Sequence, residues 1–589
     1  MSKTNRSSSR LVSMFVVFML MLVALTTRLV FVQGLDSRHF EALAADQRER
    51  RLVLPPQRGS IYDRNGAELA MSLDMQTIFA NPHFISDPGA AASALAPILG
   101  QSEESIRSRL SRKAGFVYLA RKVEPSVATA VKGLQIQGVD TVPESKRFYP
   151  AGGLASHVLG FVGTDNEGLA GMEMRFEKLL KGLPGALTME SDPTGRPIPA
   201  GHFSRTAPTA GSDIILTLDR EIQYQTEVFL AQAVQTYKAK AGSAIVMDPR
   251  TGDILALANV PTFDPNDVAS SSGESRRNRA LVDVYEPGSA NKIITASAAI
   301  GSGVVKPDDM FKVPDNLKLG SKVFHDAHPH AVQDLSFAQI IEQSSNVGTI
   351  KVAALLGKER LYSALSRFGY GKPTGLDFPG ESSGILTPPA KWSTPSMGTV
   401  PIGQGVAVTV MQIVNVYATV ANHGVHVQPR LVRALVDESG KPRYTPDGAR
   451  REVVDAKTAD TVTKILIRVT EGEHGTGKAA AVPGYQVAGK TGTAQKPIPG
   501  GGGYSGYVGS FIGFAPAGDP RLVVGVVLDD PSPIWGGVTA APTFKQIMQF
   551  ALRHLGIGPG SVLQTEGTPL PTPVRSGGAP APAPSPPSD

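Results

Sequence analysis

The chain has 589 residues, of which 41% are hydrophobic and 19% charged, and this predicts an ordinary globular protein of several domains. Its net charge of +6 is spread along the sequence without a block of Lys and Arg, so a nucleic-acid partner is not indicated. The sequence has no cysteine, which excludes disulfides, thiolate metal sites and cysteine nucleophiles and is compatible with an oxidising compartment.

The N-terminal segment is predicted to be an uncleaved membrane anchor. Three basic residues, Lys3, Arg6 and Arg10, precede an apolar run at 11–33. At about 1.5 Å per residue, a helix of this length crosses a hydrocarbon core about 30 Å thick. The basic flank predicts that residues 1–10 are cytoplasmic and that the rest is exported. A cleaved signal peptide is the alternative, but its apolar region would be shorter and followed by a small-x-small site.

Residues 34–210 are predicted to form a polar stalk and a non-catalytic pedestal of mixed short elements. Within them, Arg58–Ala70 has the pattern of a strand, an Asn-Gly turn and a second strand. No combination of residues in this region indicates a chemical site.

Residues 211–556 are predicted to form an α+β domain in which an antiparallel sheet packs against helices, because strand patterns lie at both ends and helical patterns between them. A strand at Asp213–Leu218, a helix at Glu221–Tyr237 and a hairpin over Ala244–Ala258 open it. The other expected elements are a helix opened by a capping box at Ser336, helices at Gly405–Ala421 and Ala541–Leu555, and strands at Tyr485–Ala488, Val508–Phe514 and Arg521–Leu528. The Pro- and Ala-rich residues 557–589 are predicted to be a disordered tail.

A serine and a lysine stand three residues apart at the start of an apolar helical run that ends at Gly301. Pro287 and Gly288 suit a bend at the helix entrance, which places Ser289 in the first turn and Lys292 on the same face. This spacing suits a serine nucleophile with a lysine base, since a free hydroxyl needs a base to become reactive. Ser-x-x-Lys alone is a weak signal, because it also describes a helix cap followed by a solvated lysine.

Two further motifs follow in order. Ser344-Ser345-Asn346 lies between two helical stretches, and Lys490-Thr491-Gly492-Thr493 is expected at the end of a strand. Ser-x-x-Lys, Ser-x-Asn and Lys-Thr-Gly together are the set carried by penicillin-recognising serine enzymes. The ordered triple is a strong signal, whereas each motif alone is common by chance.

Each motif supplies a part that acyl transfer requires. Lys292 can act as a base only if its pKa is lowered by burial and by a nearby cation, and Lys490 is expected to be that cation. Ser344 can relay a proton, and Asn346 can hold Lys292 and bind a substrate amide.

The Lys-Thr-Gly strand is expected to bind the substrate. Thr491 and Thr493 offer hydroxyl groups to a substrate carboxylate, whose charge Lys490 complements, and Gly492 allows a peptide backbone to lie against the strand edge. The backbone N–H groups of Ser289 and Thr493 would form the oxyanion hole.

These motifs identify the chain as one that resembles the class B penicillin-binding proteins, most closely the division-type peptidoglycan D,D-transpeptidase (FtsI type). The resemblance runs from the anchor to about residue 555. Beyond the triple, it rests on Arg58–Gly66, Asn278–Ala280 ahead of Glu286–Ser289, Gly403–Gly405, Ser344–Gly348 and Val487–Ala494.

The resemblance implies an inner-membrane, single-pass protein with a cytoplasmic N-terminus, an elongated pedestal and a periplasmic transpeptidase domain. It implies that a D-Ala-D-Ala stem peptide acylates the serine, that D-Ala leaves, and that the acyl group passes to an amine on a neighbouring strand during septal wall synthesis. β-Lactams would acylate the same serine. The implied partners are a membrane glycan polymerase and other divisome proteins, with no cofactor and no metal.

Several alternatives remain beside this interpretation. The chain could serve elongation rather than division, act as a D,D-carboxypeptidase or β-lactamase-like hydrolase, or be a non-enzymatic β-lactam sensor.

Residues Gly484–Thr491 also match the nucleotide-binding pattern G-x-x-x-x-G-K-[ST], but no helix can follow at Thr493–Gly500. The histidines of His325–His330 invite a metal site, although such a loop is more often a polar surface.

Overall fold

The computed structural model describes residues 5–35, 49–190, 203–436, 440–498 and 502–563, and these residues divide into two units. The first unit comprises residues up to 57 together with 182–211, and the second comprises 58–181 and the chain from 212 onward. The predicted cytoplasmic residues 1–4, part of the predicted stalk (36–48) and the tail from 564 lie outside the described residues.

The first unit contains the N-terminal helix and a small sheet. The helix runs from Asn5 to Val30 and continues as a π-helical turn over Phe31–Leu35. Its segment Ser9–Gly34 is long and apolar enough to cross a membrane, as expected for the segment 11–33. Three antiparallel strands form the sheet, in the order Glu49–Leu54, Gly185–Glu190 and Phe203–Thr206.

The second unit is built around a five-stranded antiparallel sheet. In spatial order its strands are Ile254–Val260, Ala241–Met247, Leu522–Asp529, Tyr504–Ala515 and Ala488–Pro497. The last of these, which we call the KTG strand, is an edge strand and carries the Lys-Thr-Gly motif. The mixed α+β, multidomain fold predicted from the sequence is confirmed.

Both faces of this sheet are buried, so its strands read as continuous apolar runs. Along Leu522–Asp529, Val523 and Val527 face one core cluster, whereas Val524 and Val526 face the other. The first cluster contains the helices Lys292–Gly301 and Val410–Ala421, and the second contains Arg220–Thr236 and Gly536–His554. The sheet therefore holds its edge strand and the helix Lys292–Gly301, which directly follows the turn containing Ser289, against one core.

The second unit contains further helices and strands, some of which form separate core clusters. Its other helices of eight or more residues are Pro88–Leu99, Glu103–Leu110, Pro125–Gly133, Asn346–Leu356, Lys358–Arg367 and Ala456–Glu471. Its short helices are Ser156–Leu159, Gly171–Arg175, Glu177–Leu180, Arg279–Val282, Phe337–Glu342 and Ser396–Thr399.

A seven-stranded sheet joins residues of the predicted pedestal (34–210) to residues of the predicted α+β domain (211–556). Its order is Pro442–Tyr444, Val432–Val436, Asp213–Leu216, Ile61–Tyr62, Glu68–Ala80 and Val117–Val123, with Val139–Phe148 also paired to Glu68–Ala80. Ile61–Tyr62 runs parallel to Asp213–Leu216, and the other pairs are antiparallel. Three two-stranded sheets, Met310–Val313 with Gln333–Ser336, Asn316–Leu319 with Lys322–His325, and Val425–Val427 with Arg450–Glu452, complete the strands.

Most predicted elements are confirmed, although several boundaries differ and one predicted strand is wrong. The capping box at Ser336 is present, and Ser336 and Gln339 exchange hydrogen bonds. The helix expected from Gly405 begins at Val410, because Thr409 and Gln412 form a second capping box there. The strand expected at Tyr485–Ala488 is wrong: the chain turns at Val482–Tyr485, and the strand begins only at Ala488. The closing helix begins at Gly536, before the predicted Ala541.

A buried ion network stabilises the pedestal part of the second unit. The carboxylate of Glu173, which is 0% exposed, accepts hydrogen bonds from Arg58 Nε at 2.6 Å and Arg147 Nε at 2.7 Å. Arg58 also donates to Glu177 at 2.6 Å. Such a network requires each charge to keep its partner, because an unpaired buried charge is strongly unfavourable.

We expect Glu173→Gln to lower the free energy of unfolding by about 3–5 kcal/mol, since it leaves two buried guanidinium groups short of a carboxylate. Urea unfolding monitored by circular dichroism measures the change. The matched control is Glu104→Gln, which removes the ion pair between Glu104 and Arg107. The side chain of Glu104 is 74% exposed, so this substitution should lower the free energy of unfolding by less than about 1 kcal/mol. Equal effects of the two substitutions would contradict this interpretation.

Candidate active site

Ser289 lies in a 3₁₀ turn, Gly288–Asn291, that runs directly into the helix Lys292–Gly301. The sequence placed Ser289 in the first helical turn, and the backbone N–H of Lys292 indeed donates to the carbonyl of Ser289. Around this serine turn, Tyr417 Oη donates to the carbonyl of Ala290 at 2.9 Å. Asn291 Nδ2 donates to the carbonyl of Val400 at 3.0 Å. The turn is therefore held by side chains as well as by its own backbone.

Two glycines allow the KTG strand to approach the serine turn closely. Gly288 has φ +54°, and a Cβ there would lie 2.8 Å from the carbonyl oxygen of Thr493. A Cβ at Gly492 would lie 2.2 Å from Ser510 Oγ and 3.0 Å from the carbonyl oxygen of Pro287. Gly492 thus makes room for the serine turn, a role that its position in the sequence does not indicate.

The amine of Lys292 is completely buried and points at the Ser-x-Asn motif. Its Nζ donates to the carbonyl of Ser344 at 2.6 Å, to Asn346 Oδ1 at 2.8 Å and to Ser344 Oγ at 3.3 Å. Burial lowers the pKa of Lys292 to about 7, and the negative charge of Asp326 opposes that shift. A lysine in this state is divided between its neutral and charged forms near neutral pH.

Ser344 is held in an unusual backbone conformation between two helices. Its φ is +63°, in the left-handed region that a residue with a side chain rarely adopts. The preceding helix is Phe337–Glu342, and the next helix, Asn346–Leu356, has Ser345 as its N-cap. Such backbone strain costs of the order of 1–3 kcal/mol and persists where the surroundings fix it, often at functional sites.

The second lysine, Lys490, is also fully buried, on the KTG strand. Its Nζ lies 3.2 Å from Thr491 Oγ1, and burial and the Lys292 ammonium lower the pKa of Lys490 well below its ordinary value. The sequence predicts that burial and the nearby cation Lys490 both lower the pKa of Lys292; burial is the cause of the lowered pKa of Lys292, whereas the charge repulsion appears at Lys490. Because repulsion between two ammonium groups is mutual, the pair disfavours holding two protons at once.

The hydroxyl groups of the two threonines in the Lys-Thr-Gly-Thr motif have hydrogen-bond partners outside the KTG strand. Thr491 Oγ1 lies 2.9 Å from Thr476 Oγ1, and Thr493 Oγ1 accepts a hydrogen bond from the Gly536 N–H at 3.2 Å. The indole of Trp535 is 43% exposed, and its ring centroid lies 6.0 Å from that of His328. Trp535 therefore lies beside the Lys-Thr-Gly motif rather than in the core.

Asp326 is the main residue of the site whose role the sequence did not reveal. Its Oδ1 accepts from the N–H groups of Asn346 and Val347, and its Oδ2 accepts from Ser345 Oγ at 2.7 Å. Asp326 Oδ2 also lies 3.1 Å from His330 Nε2. No spacing rule connects this residue with Ser344, because the chain brings them together through one intervening strand, Gln333–Ser336, and the helix Phe337–Glu342.

The histidine segment thus supports the Ser-x-Asn motif. The carbonyl of His325 accepts from Asn346 Nδ2 at 2.9 Å, which adds to the contacts of Asp326. Among the described residues, no group of three His, Asp or Glu side chains is arranged to hold a metal ion.

The structure therefore brings the three motifs together. Ser289 and Lys292 share the serine turn and its helix, and Ser344 and Asn346 contact Lys292 directly. The KTG strand packs against the serine turn. A buried lysine, a serine one turn away, a second serine and an amide in one cluster can support nucleophilic acyl transfer.

Comparison with known families agrees with this arrangement. Residues 242–549 match the family model of the penicillin-binding protein transpeptidase domain, and residues 53–216 match that of the penicillin-binding protein dimerisation domain. The chain therefore belongs to the class B penicillin-binding proteins.

Individual relatives cover most of the chain. It is 36% identical to the penicillin-binding protein PbpB of Mycobacterium tuberculosis, over 93% of this chain and 86% of that one. It is 34% identical to the peptidoglycan D,D-transpeptidase FtsI of Escherichia coli, over 86% and 85%. The structure of penicillin-binding protein 3 of M. tuberculosis in complex with aztreonam matches with a TM-score of 0.69 and 33% identity, over 87% of this chain and 98% of that one.

We expect Asp326→Ala to destabilise the protein by about 1–3 kcal/mol, because the N–H groups of Asn346 and Val347 lose their acceptor. Urea unfolding of the two proteins measures the difference. Asp308→Ala, which changes an exposed aspartate in the turn before the strand Met310–Val313, should change stability by no more than about 0.5 kcal/mol. If Asp326→Ala left the free energy of unfolding unchanged, the carboxylate would not be what fixes the start of the helix Asn346–Leu356.

Proposed function

We propose that this protein is a serine-type peptidoglycan D,D-transpeptidase that cross-links stem peptides during septal wall synthesis. The observation that carries the proposal is the buried Lys292 amine, one turn from Ser289 and hydrogen-bonded to Ser344 and Asn346. Family membership and the naming of relatives as D,D-transpeptidases support it.

In the acylation step, Ser289 Oγ attacks the carbonyl carbon of the penultimate D-Ala, and the hydroxyl proton passes to neutral Lys292. The backbone N–H groups of Ser289 and Thr493 stabilise the oxyanion of the tetrahedral intermediate. When the C–N bond breaks, the leaving amine takes a proton that Ser344 relays from Lys292, so terminal D-Ala departs and an ester to Ser289 remains.

In the second step, the amine of a neighbouring stem peptide attacks the ester carbon. That amine gives up a proton to the Lys292 and Ser344 pair, the C–O bond breaks, and the proton returns to Ser289 Oγ. The product is a new peptide bond between strands, and the enzyme is regenerated with its original protonation.

The KTG strand and Asn346 are proposed to bind the donor peptide. The edge position of the strand leaves backbone groups available for pairing with an extended peptide, and Asn346 can bind a substrate amide. Thr491 and Thr493 would bind the terminal carboxylate, and its charge would favour protonation of Lys490, which burial disfavours.

The helix Ser9–Gly34 is proposed to anchor the protein in the inner membrane, with the N-terminus in the cytoplasm and residues from about 34 onward in the periplasm. The pedestal (34–210) and transpeptidase domain (211–556) would then act on the wall, together with a membrane glycan polymerase and other divisome proteins. Depletion that produces filaments rather than rounded cells would support the septal role, and rounding would favour elongation.

We expect a fluorescent penicillin to form one long-lived adduct on Ser289, located by peptide mass, because the acyl-enzyme releases slowly when no acceptor amine is present. Ser289→Ala should abolish labelling. The matched control, Ser302→Ala, changes an exposed serine just after the end of the same helix and should label normally. Rapid turnover of the adduct would favour the hydrolase, and labelling of the Ser289→Ala variant would refute the proposed nucleophile.

The acylation rate should rise with pH around a midpoint of about 7, because only neutral Lys292 can accept the serine proton. In Asp326→Asn the midpoint should move to lower pH, since the carboxylate that favours the ammonium form of Lys292 is lost. Stopped-flow acylation between pH 5.5 and 9 measures both profiles. A midpoint that is unchanged in Asp326→Asn would show that Lys292 does not control the rate.

A further inference from the structure

A recess lined by positively charged side chains lies apart from the three catalytic motifs. It has a volume of about 360 Å³ and is bounded by the end of the helix Lys358–Arg367, by Val410–Ala421 and by the paired strands Val425–Val427 and Arg450–Glu452. We call it the cationic recess, and its charged or titratable lining residues are Arg367, Lys372, His426 and Arg451.

The basic side chains of the cationic recess lie close together, and no acidic side chain lines the recess with them. His426 and Arg451 are directly opposite each other in the paired strands, so they project from the same face. No Asp or Glu is among the lining residues, and the nearby Glu381 instead accepts hydrogen bonds from the N–H and the hydroxyl of Thr374. Burial and the charge of Arg367 lower the pKa of Arg451, as expected for a cation without a paired carboxylate.

One of the residues that line the recess, Asn415, has a buried side-chain amide that is only partly hydrogen-bonded. Asn415 is 3% exposed, and its Nδ2 lies 2.8 Å from His426 Nε2. Its Oδ1 has no hydrogen-bond partner within the described part of the chain. An unpaired buried polar atom is unfavourable. A half-turn of the amide would direct its N–H groups to the unused position, where they could donate to an anion.

A structural role explains only one of these cations. Arg451 Nη1 donates to the carbonyl of Arg367 at 2.7 Å, which caps the end of a helix and uses one of the five N–H donors of the guanidinium group. The side chains of Arg367 and Lys372 make no hydrogen bond or ion pair with the residues that the structure describes. No hydrogen bond or ion pair within the described part of the chain therefore explains why these two side chains lie around one recess.

We propose that the cationic recess binds the phosphate group of a phosphate ester. Two guanidinium groups and an ammonium match the charge and the several acceptor oxygens of a phosphate better than those of a single carboxylate. The recess is larger than a phosphate group alone, so the rest of the ester would contact Phe368 and Pro373 in its wall. The source of the phosphate is either a small soluble ester or a lipid head group.

His426 provides a direct reporter of occupancy. Burial and the adjacent Arg451 lower its pKa to about 4. The groups that face it are Arg451 on the paired strand, Arg367 and Lys372 across the recess, and Asn415 on the helix behind. None of these groups is acidic, so a bound phosphate would bring a negative charge next to His426 and would raise its pKa.

The first experiment titrates the full-length protein, in a zwitterionic detergent, with inorganic phosphate and with glycerol 3-phosphate. We expect saturable binding by calorimetry, weakening with added salt, and a shift of the His426 imidazole resonance that follows the same curve. Arg367→Gln and Lys372→Gln should each raise Kd at least tenfold, because each removes a charged donor to the phosphate. Lys358→Gln, on the same helix but outside the recess, should leave Kd unchanged.

The second experiment identifies the source of the phosphate. Vesicles of phosphatidylglycerol, with phosphatidylcholine vesicles as the neutral comparison, are added to the protein with and without glycerol 3-phosphate. Vesicle binding that glycerol 3-phosphate displaces and Arg367→Gln weakens would assign a lipid head group, whereas binding of the soluble ester that vesicles do not affect would assign a small phosphate ester.

Two results would overturn the proposal. One is the absence of binding by either probe up to millimolar concentration. The other is binding that Arg367→Gln and Lys372→Gln leave unchanged, which would indicate an adventitious ion only. The proposal does not depend on the proposed transpeptidase activity, and penicillin labelling of Ser289 should be unaffected by either substitution.

Discussion

The central constraint on this structure is the burial of an amine, that of Lys292, beside a second buried amine. Water that would otherwise solvate the ammonium form is replaced by the carbonyl of Ser344, the amide oxygen of Asn346 and the more distant carboxylate of Asp326. These groups stabilise the ammonium form enough for it to be populated near neutral pH, but the pKa of Lys292 stays below its ordinary value. The site therefore has a lysine that can gain and lose a proton near neutral pH, which acid–base catalysis requires.

The fold maintains this balance by fixing three separate pieces of chain around the amine. The central sheet is buried on both faces, so its KTG edge strand is a rigid wall, and Gly288 and Gly492 let the serine turn pack directly against it. The opposite wall is the helix pair around Ser344, whose strained backbone is held in part by Asp326 through the following helix. A small displacement of either wall would change the hydration of Lys292 and, with it, its pKa.

The sequence predicted the linear parts of this site and missed the parts that depend on tertiary contacts. Ser289 and Lys292 are three residues apart on one helical turn, so their spacing alone predicts proximity. Asp326 is 18 residues before Ser344 and reaches the motif only because the segment between them folds back as the strand Gln333–Ser336 and the helix Phe337–Glu342. Likewise, Tyr417 supports the serine turn from a distant helix, and no local pattern distinguishes it from a core tyrosine.

The segment Gly484–Thr491 illustrates why backbone conformation, rather than residue identity, decides function. Its letters match a phosphate-binding loop, in which the glycines open a compact loop and a helix N-terminus faces the phosphates. Here the chain turns at Val482–Tyr485 and then extends as a strand to Pro497, so no helix N-terminus follows. Lys490 is directed into the protein, beside Lys292, instead of toward a loop. The same lysine and threonine consequently lie in the proposed acyl-transfer site, because the strand places them against the serine turn.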